Sequence, residues 1–126
     1  MARILVVDDE SSIRRALRLM FERGGHTVIE AASAPVALEL VVDSEPPDAI
    51  VCDVKMPGMD GMEFYRALGG VAPALQSRLV FLTGASRDPA VHTRIEQLGV
   101  PLLGKLDDLQ LVVDAIRITL FRRPKA

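Results

Sequence analysis

The sequence predicts an α/β fold built on a parallel sheet, because short apolar runs alternate with stretches of helical periodicity. Each apolar run is bounded by acids, glycine or proline rather than by a hairpin dipeptide, so successive strands are expected to be joined by helices. Continuous Val, Ile and Leu runs suit strands that are buried on both faces. The predicted strands are Arg3 to Val7, His26 to Glu30, Ala49 to Cys52, Arg78 to Leu82 and Val100 to Leu103.

The first predicted helix follows the first strand and is ended by Gly24-Gly25. Its apolar residues recur at i, i+3, i+4, i+7 and i+8, the spacing of one buried helix face. Those residues are Ile13, Ala16, Leu17, Met20 and Phe21.

Capping residues mark the four later helices. The second is bounded by Ser33 with Pro35 and by Pro46-Pro47, the third spans Gly61 to Leu68 between Asp60 and Gly69-Gly70, and the fourth lies between Asp88-Pro89 and Gly99. The last runs from about Asp107 to Phe121. The expected core faces are Val91, Ile95 and Leu98 on the fourth helix and Leu109, Val112, Val113, Ile116 and Leu120 on the last.

Length and composition indicate one domain over residues 1–121, with 122–126 a polar tail or truncated linker. Fifteen Lys and Arg against seventeen Asp and Glu, with no basic run before Arg122-Arg123, argue against direct nucleic-acid binding. The lone Cys52 supports neither a disulfide framework nor a Cys-ligated metal site. No signal peptide or long apolar run is present, so we expect a cytoplasmic protein. Because Met1 lies just before the first strand, we expect this domain to be N-terminal or to stand alone.

Polar residues follow several predicted strands, at the sheet edge where ligands bind in open parallel sheets. Asp8-Asp9-Glu10 follow the first strand, Asp53 the third, Thr83-Gly84 the fourth and Lys105 the fifth. Carboxylates brought together at one edge repel each other unless a cation neutralises them. All-oxygen ligands favour Mg²⁺, or Mn²⁺, over zinc.

This ordered set resembles the receiver domain of bacterial two-component response regulators, the CheY-like family. The specific part is Asp53-Val54-Lys55-Met56-Pro57-Gly58-Met59-Asp60-Gly61, and the resemblance covers essentially the whole chain. It implies a flavodoxin-like (βα)₅ three-layer sandwich with a parallel sheet in the order 2-1-3-4-5, the order for which general accounts of this fold cite CheY.

The resemblance also implies roles for individual residues. Asp53 would be the phosphoacceptor, and Asp9 would bind Mg²⁺ directly with Asp53 and the Lys55 carbonyl, while Asp8 would be a second acid that acts on the ion largely through water. Thr83 and Lys105 would bind the phosphoryl group. The phosphoryl group would come from a histidine kinase, a phosphotransfer protein or a small phosphodonor. Such a domain would be a switch that modifies itself rather than a turnover enzyme on a free substrate.

Two positions depart from the family pattern. Leu106 replaces the usual proline after the lysine, so we expect the Lys105-Leu106 bond to be trans. Leu102 replaces the usual Tyr or Phe, whose ring reports phosphorylation in the family. These departures motivate the alternative of a degenerate receiver that acts as a phosphate-independent interaction module.

The sequence argues against two other functions that this fold class could support. A haloacid dehalogenase-type phosphatase would need Asp-x-Asp after the first strand, whereas Asp8 and Asp9 are adjacent. An FMN-binding domain would need a phosphate loop rich in Ser, Thr and Gly after the first strand, and no such loop follows it in the sequence.

A second apolar stripe on the last helix, Leu111, Ala115 and Ile118, predicts a surface for a homodimer or an output partner on the face of helix four, strand five and helix five.

Overall fold

The computed structural model describes residues 1–84, 89–105 and 108–121. Five parallel strands form one sheet in the order β2-β1-β3-β4-β5, which confirms the predicted topology. The strands are β1 Arg3–Val7, β2 Thr27–Ala31, β3 Ala49–Asp53, β4 Leu79–Thr83 and β5 Leu102–Gly104. The helices are α1 Ser11–Arg23, α2 Ala34–Asp43, α3 Gly61–Val71, α4 Pro89–Leu98 and α5 Gln110–Phe121, with a 3-10 helix over Pro73–Arg78.

Two hydrophobic clusters lie on opposite faces of the sheet. Leu17 and Phe21 of α1 and Ile116 of α5 pack with alternate strand residues in one cluster. Helices α2, α3 and α4 contribute Val41, Phe64 and Ile95 to the other. Strand side chains alternate between the two faces of the sheet, and helices cover both faces. Consecutive residues of β1, from Ile4 to Val7, are therefore all buried. The protein is therefore a three-layer sandwich, as predicted.

Local signals explain where the helices begin. The Ser33 hydroxyl accepts a hydrogen bond from the Val36 N–H (3.4 Å), which confirms the predicted cap of α2. Asp60 and Glu63 form a capping box at the start of α3, each side chain accepting from the other's backbone N–H. Gly99 follows α4 with φ +71°, the conformation expected of a glycine that ends a helix. The Asp88 cap lies outside the described residues.

The predicted end of α3 was wrong, since the helix continues through Gly69-Gly70 to Val71. A Cβ on Gly69 would collide with the side chain of Gln76, which donates to the Tyr65 carbonyl (2.9 Å). Gly69 therefore serves close packing of the 3-10 helix against α3 rather than helix termination. The 3-10 helix itself was not predicted.

The predicted core face of α4 was wrong at Leu98, whereas the predicted face of the last helix packs into the core as expected and also includes Thr119. Leu98 is 40% exposed, because it lies at the last position of α4, whereas Ile95 is fully buried. In α5, the buried residues are Val112, Ile116 and Thr119. Val113 and Leu120 of this helix, and Leu109 just before it, are partly buried. Thr119 tolerates burial because its hydroxyl donates to the Ala115 carbonyl (2.8 Å). Helix α5 begins at Gln110, and the predicted start at Asp107 falls outside the described residues.

Candidate functional site

The parallel register brings the residues at the carboxyl ends of four strands to one edge. Asp8 follows β1, Asp53 ends β3, Thr83 ends β4 and Lys105 follows β5. Asp53 is paired in register with Leu82 and Thr83 with Gly104, so the ends of β3, β4 and β5 are level. The Lys105 N–H donates to the Thr83 carbonyl (2.8 Å), which fixes the lysine backbone at this edge.

The ammonium of Lys105 is shared among three carboxylates. Its Nζ lies 2.9 Å from Oδ2 of Asp53, 3.0 Å from Asp8 and 2.9 Å from Oε1 of Glu10. The Lys105 side chain is 7% exposed, and the side chains of Asp8 and Asp53 are 0% and 4% exposed. Two of the three acids are therefore buried, and one cation offsets their charge.

Burial and charge repulsion together set the protonation of these groups. Burial, together with the negative charge of Asp8, raises the pKa of Asp53 to about 6, although the hydrogen bond from Lys105 opposes the shift. Burial raises the pKa of Asp8 against the hydrogen bonds from the Glu10 N–H and Lys105. Burial alone would lower the pKa of Lys105, but the hydrogen bonds to the three carboxylates outweigh it and raise that pKa. The lysine therefore stays cationic.

A cation would fit the acidic group formed by Asp8, Asp9 and Glu10. Oxygen atoms of these three carboxylates lie within 4.8 Å of one another, with Asp8 buried and the other two exposed. Oδ2 of Asp8 is buried and accepts no hydrogen bond from the described residues, although it lies 3.0 Å from Nζ of Lys105. A buried, unsatisfied carboxylate oxygen beside two exposed acids suits a hard, partly hydrated divalent ion.

The sequence places Glu10 at this edge of the sheet, but the family resemblance gives it no role in the site. The structure adds it through the Lys105 contact and through proximity to Asp8 and Asp9. Its position directly after the two aspartates was the available signal.

The loop after β3 holds Asp53 in place. The Lys55 N–H donates to Oδ1 of Asp53 (3.3 Å), and Gly58 adopts φ +78°. The Gly61 N–H donates to the Val54 carbonyl (2.8 Å), and a Cβ at Gly61 would collide with the Asp53 carbonyl oxygen. The start of α3 is thereby packed directly against the backbone of Asp53.

Thr83 and Leu102 complete the edge on the side of β4 and β5. Thr83 is partly exposed at the last position of β4. Leu102 is paired with Phe81 and packs against the cluster of α2, α3 and α4, so an aliphatic side chain fills this position. The predicted trans bond involves Leu106, which lies outside the described residues.

The fold and this edge define a doubly wound domain in which an acidic cluster and a buried lysine meet at the carboxyl ends of the strands. Residues 4–117 match the response regulator receiver domain family, and the chain belongs to that family. A crystal structure of a response regulator receiver domain protein from Clostridium thermocellum superimposes with a TM-score of 0.85 at 28% identity, covering 97% of this chain and 96% of that one.

Two curated relatives differ in how much of their length is matched. Response regulator MprA of Mycobacterium ulcerans (strain Agy99) is 47% identical over 66 residues, 52% of this chain and 28% of MprA. Sporulation initiation phosphotransferase F of Bacillus subtilis (strain 168) is 29% identical over 115 residues, 91% of this chain and 90% of that protein. The family supports a phosphoryl-accepting signalling role, and receivers interact with histidine kinases or phosphotransfer proteins and with output domains. No helix in the described ranges is both long and apolar enough to span a membrane.

Proposed function

We propose that this domain is a Mg²⁺-dependent receiver in which Asp53 accepts a phosphoryl group from a phosphohistidine or a small phosphodonor. The observation that carries the proposal is the buried Asp53 carboxylate held 2.9 Å from the Lys105 ammonium beside a metal-competent acidic group. An oxygen of Asp53 forms the new P–O bond while the P–N bond of the phosphohistidine breaks, and the departing imidazole takes up a proton. The alternative of a degenerate receiver is less well supported, because the acids and lysine that transfer requires are assembled.

Asp8 and Asp9, with Asp53 and the Lys55 carbonyl, are the proposed Mg²⁺ ligands, and Glu10 adds a third acid to the same group. Bound Mg²⁺ would supply charge neutralisation between two anionic reactants. Asp8 contributes the buried Oδ2, which lies 3.0 Å from Nζ of Lys105 and accepts no hydrogen bond from the described residues. Asp9 and Glu10, both exposed, leave the ion open to water and to the phosphoryl oxygens.

Lys105 and Thr83 are the proposed phosphoryl-binding side chains. Lys105 already contacts the nucleophile and can follow the charge as it moves from the carboxylate to the phosphoryl oxygens. Thr83 is partly exposed at the last position of β4, so its hydroxyl can donate to a phosphoryl oxygen at this edge. Attachment of the phosphoryl group would thereby draw the end of β4 towards Asp53.

We further propose that phosphorylation changes partner binding on the face of α4, β5 and α5. Leu111 and Ile118 are 48% and 58% exposed, while Ala115 is partly buried against the α1 and α5 core. The stripe is therefore two exposed apolar side chains flanking a small one. This face is the proposed surface for a homodimer or an output partner.

The proposed function is tested with acetyl phosphate as the donor. Intact-mass spectrometry should show one added phosphoryl group in the presence of Mg²⁺ and none after EDTA. Asp53→Asn is the inactive comparison, and Asp43→Asn, an exposed residue at the end of α2, is the matched control. Full labelling in EDTA, or labelling of Asp53→Asn at the same rate, would contradict the proposal.

A further inference from the structure

A second polar cluster lies at the amino edge of the sheet, at the opposite end of the strands from Asp53. His26, Asp48 and Arg78 each immediately precede a strand, β2, β3 and β4 respectively. Together with Arg117 and Phe121 from the last turns of α5, they line a pocket of about 540 Å³. This volume lies within the range of about 300–1,000 Å³ typical of small-molecule sites.

The two arginines of this pocket have few close acceptors among the described residues. Nη1 of Arg78 donates to the Asp48 carbonyl at 3.5 Å, and its buried Nε has no hydrogen-bond partner in the described part of the chain. Oδ2 of Asp48 is already used, because it accepts the Arg3 N–H (2.8 Å). Arg117 has only a 4.0 Å ion pair with Asp114, and its side chain is 71% exposed. Among the described residues, the closest ion pair of these two guanidinium groups is therefore the 4.0 Å contact of Arg117 with Asp114.

The neutral imidazole of His26 adds an N–H donor to the pocket. Its Nδ1 accepts the Ala2 N–H (3.1 Å), so the proton of the neutral ring is on Nε2. Burial lowers the pKa of His26, and the positive charges of the chain's amino terminus and of Arg117 lower it further. The positive field of the pocket therefore comes from the arginines and the terminus.

One wall of the pocket is apolar. Leu120 is partly buried, and Phe121 is 89% exposed, so an apolar ligand body would remove aromatic surface from water.

We propose that this pocket binds a small organic oxyanion, a carboxylate or phosphate carried on an apolar ring or chain, with Arg78 and Arg117 on the oxyanion and Phe121 on the apolar part. Guanidinium groups match both oxyanions through paired N–H donors. An oxyanion in the pocket would give the Arg78 guanidinium a closer acceptor than the Asp48 carbonyl, which lies 3.5 Å from its Nη1. The proposal does not depend on phosphorylation at Asp53.

The test is a titration of the ¹⁵N-labelled full chain followed by NMR, without Mg²⁺. Benzoate and phenyl phosphate are the probes, benzyl alcohol is the neutral control, and inorganic phosphate tests the need for an apolar body. Saturable shifts of the amides at His26, Asp48 and Arg78 are expected with at least one aryl oxyanion, and the tighter probe identifies the oxyanion. Benzyl alcohol and inorganic phosphate should bind at least about tenfold more weakly.

Variants locate the effect. Arg117→Gln, at an exposed position, should weaken binding about tenfold, whereas Arg66→Gln, an exposed residue of α3, should leave it unchanged. Arg78→Gln should weaken it further, with folding checked from the same spectra. No saturable shift with either aryl probe, shifts confined to Thr83 and Lys105, or an affinity unchanged by Arg117→Gln would overturn the proposal.

Discussion

The Nζ atom of Lys105 lies 2.9 Å from Oδ2 of Asp53, with both side chains nearly removed from solvent. Asp8 and Glu10 contact the same ammonium, so the lysine joins the ends of β1, β3 and β5. One cation thus both stabilises the buried acids and stands where charge develops during phosphoryl transfer.

Replacing Lys105 should slow transfer far more than it impairs metal binding. Lys105→Met is expected to reduce the rate of labelling by acetyl phosphate about 100-fold at saturating Mg²⁺, because the cation that offsets the phosphoryl charge is lost. Lys105→Arg should recover only part of the rate, since a planar guanidinium does not reproduce three contacts of a compact ammonium. Arg66→Gln is the charge-matched control on α3. A rate within about twofold of the native protein in Lys105→Met would contradict this role.

Glu10 should strengthen Mg²⁺ binding without being the nucleophile. Glu10→Gln is expected to raise the Mg²⁺ dissociation constant by up to about fivefold, the scale of one exposed charge interaction of about 1 kcal/mol or less. Glu39→Gln, at an exposed position of α2, should leave it unchanged. Isothermal titration calorimetry measures both. Equal dissociation constants for the Glu10 and Glu39 variants would exclude Glu10 from the metal group.

The stripe on α5 should control association of the phosphorylated protein. Leu111→Glu with Ile118→Glu places charge on two exposed apolar positions, so folding should be retained while self-association or partner binding is lost. Val36→Glu with Val42→Glu makes the same exchange on exposed positions of α2. Sedimentation velocity with acetyl phosphate and Mg²⁺ compares them, alongside affinity for the cognate partner. If both are unchanged in the α5 variant, this helix face is ordinary surface.

His26 should make the domain less stable in acid. Because the folded state lowers the pKa of His26, the unfolded chain binds more protons below its ordinary value of 6.5, and the free energy of unfolding falls as pH drops through that value. Protonation of Nδ1 also removes the acceptor of the Ala2 N–H. The stability difference between the native protein and His26→Gln, from urea unfolding, should therefore shrink between pH 7.5 and pH 5.5. A difference independent of pH would contradict the coupling.

Much of the fold was predictable because local and global signals agree. The bounds of β1 and the caps at Ser33 and Asp60 follow from the sequence, since an apolar run between polar residues and a Ser or Asp before a helix have local causes. The end of α3 was not predictable from Gly69-Gly70, because the reason for Gly69 is the side chain of Gln76, which reaches it only in the folded chain.

The candidate site divides in the same way. Because parallel strands end at one edge of a sheet, the sequence predicted that Asp8, Asp53 and Lys105 would lie close together. In the structure the Lys105 ammonium contacts both carboxylates. The contact of Glu10 with Lys105 depends on how the chain turns between β1 and α1, which apolar periodicity does not specify. The pocket at the amino edge was missed because His26, Asp48 and Arg78 precede strands singly and form no motif.

The most direct test of the central claim is to identify the residue that carries the phosphoryl group. After labelling with acetyl phosphate and Mg²⁺, borohydride reduction converts an aspartyl phosphate to homoserine, which peptide mass spectrometry locates. We predict homoserine at position 53 alone, with none at Asp8, Asp9 or Asp60 and none in EDTA. Homoserine at another aspartate, or label that persists in Asp53→Asn, would contradict the account.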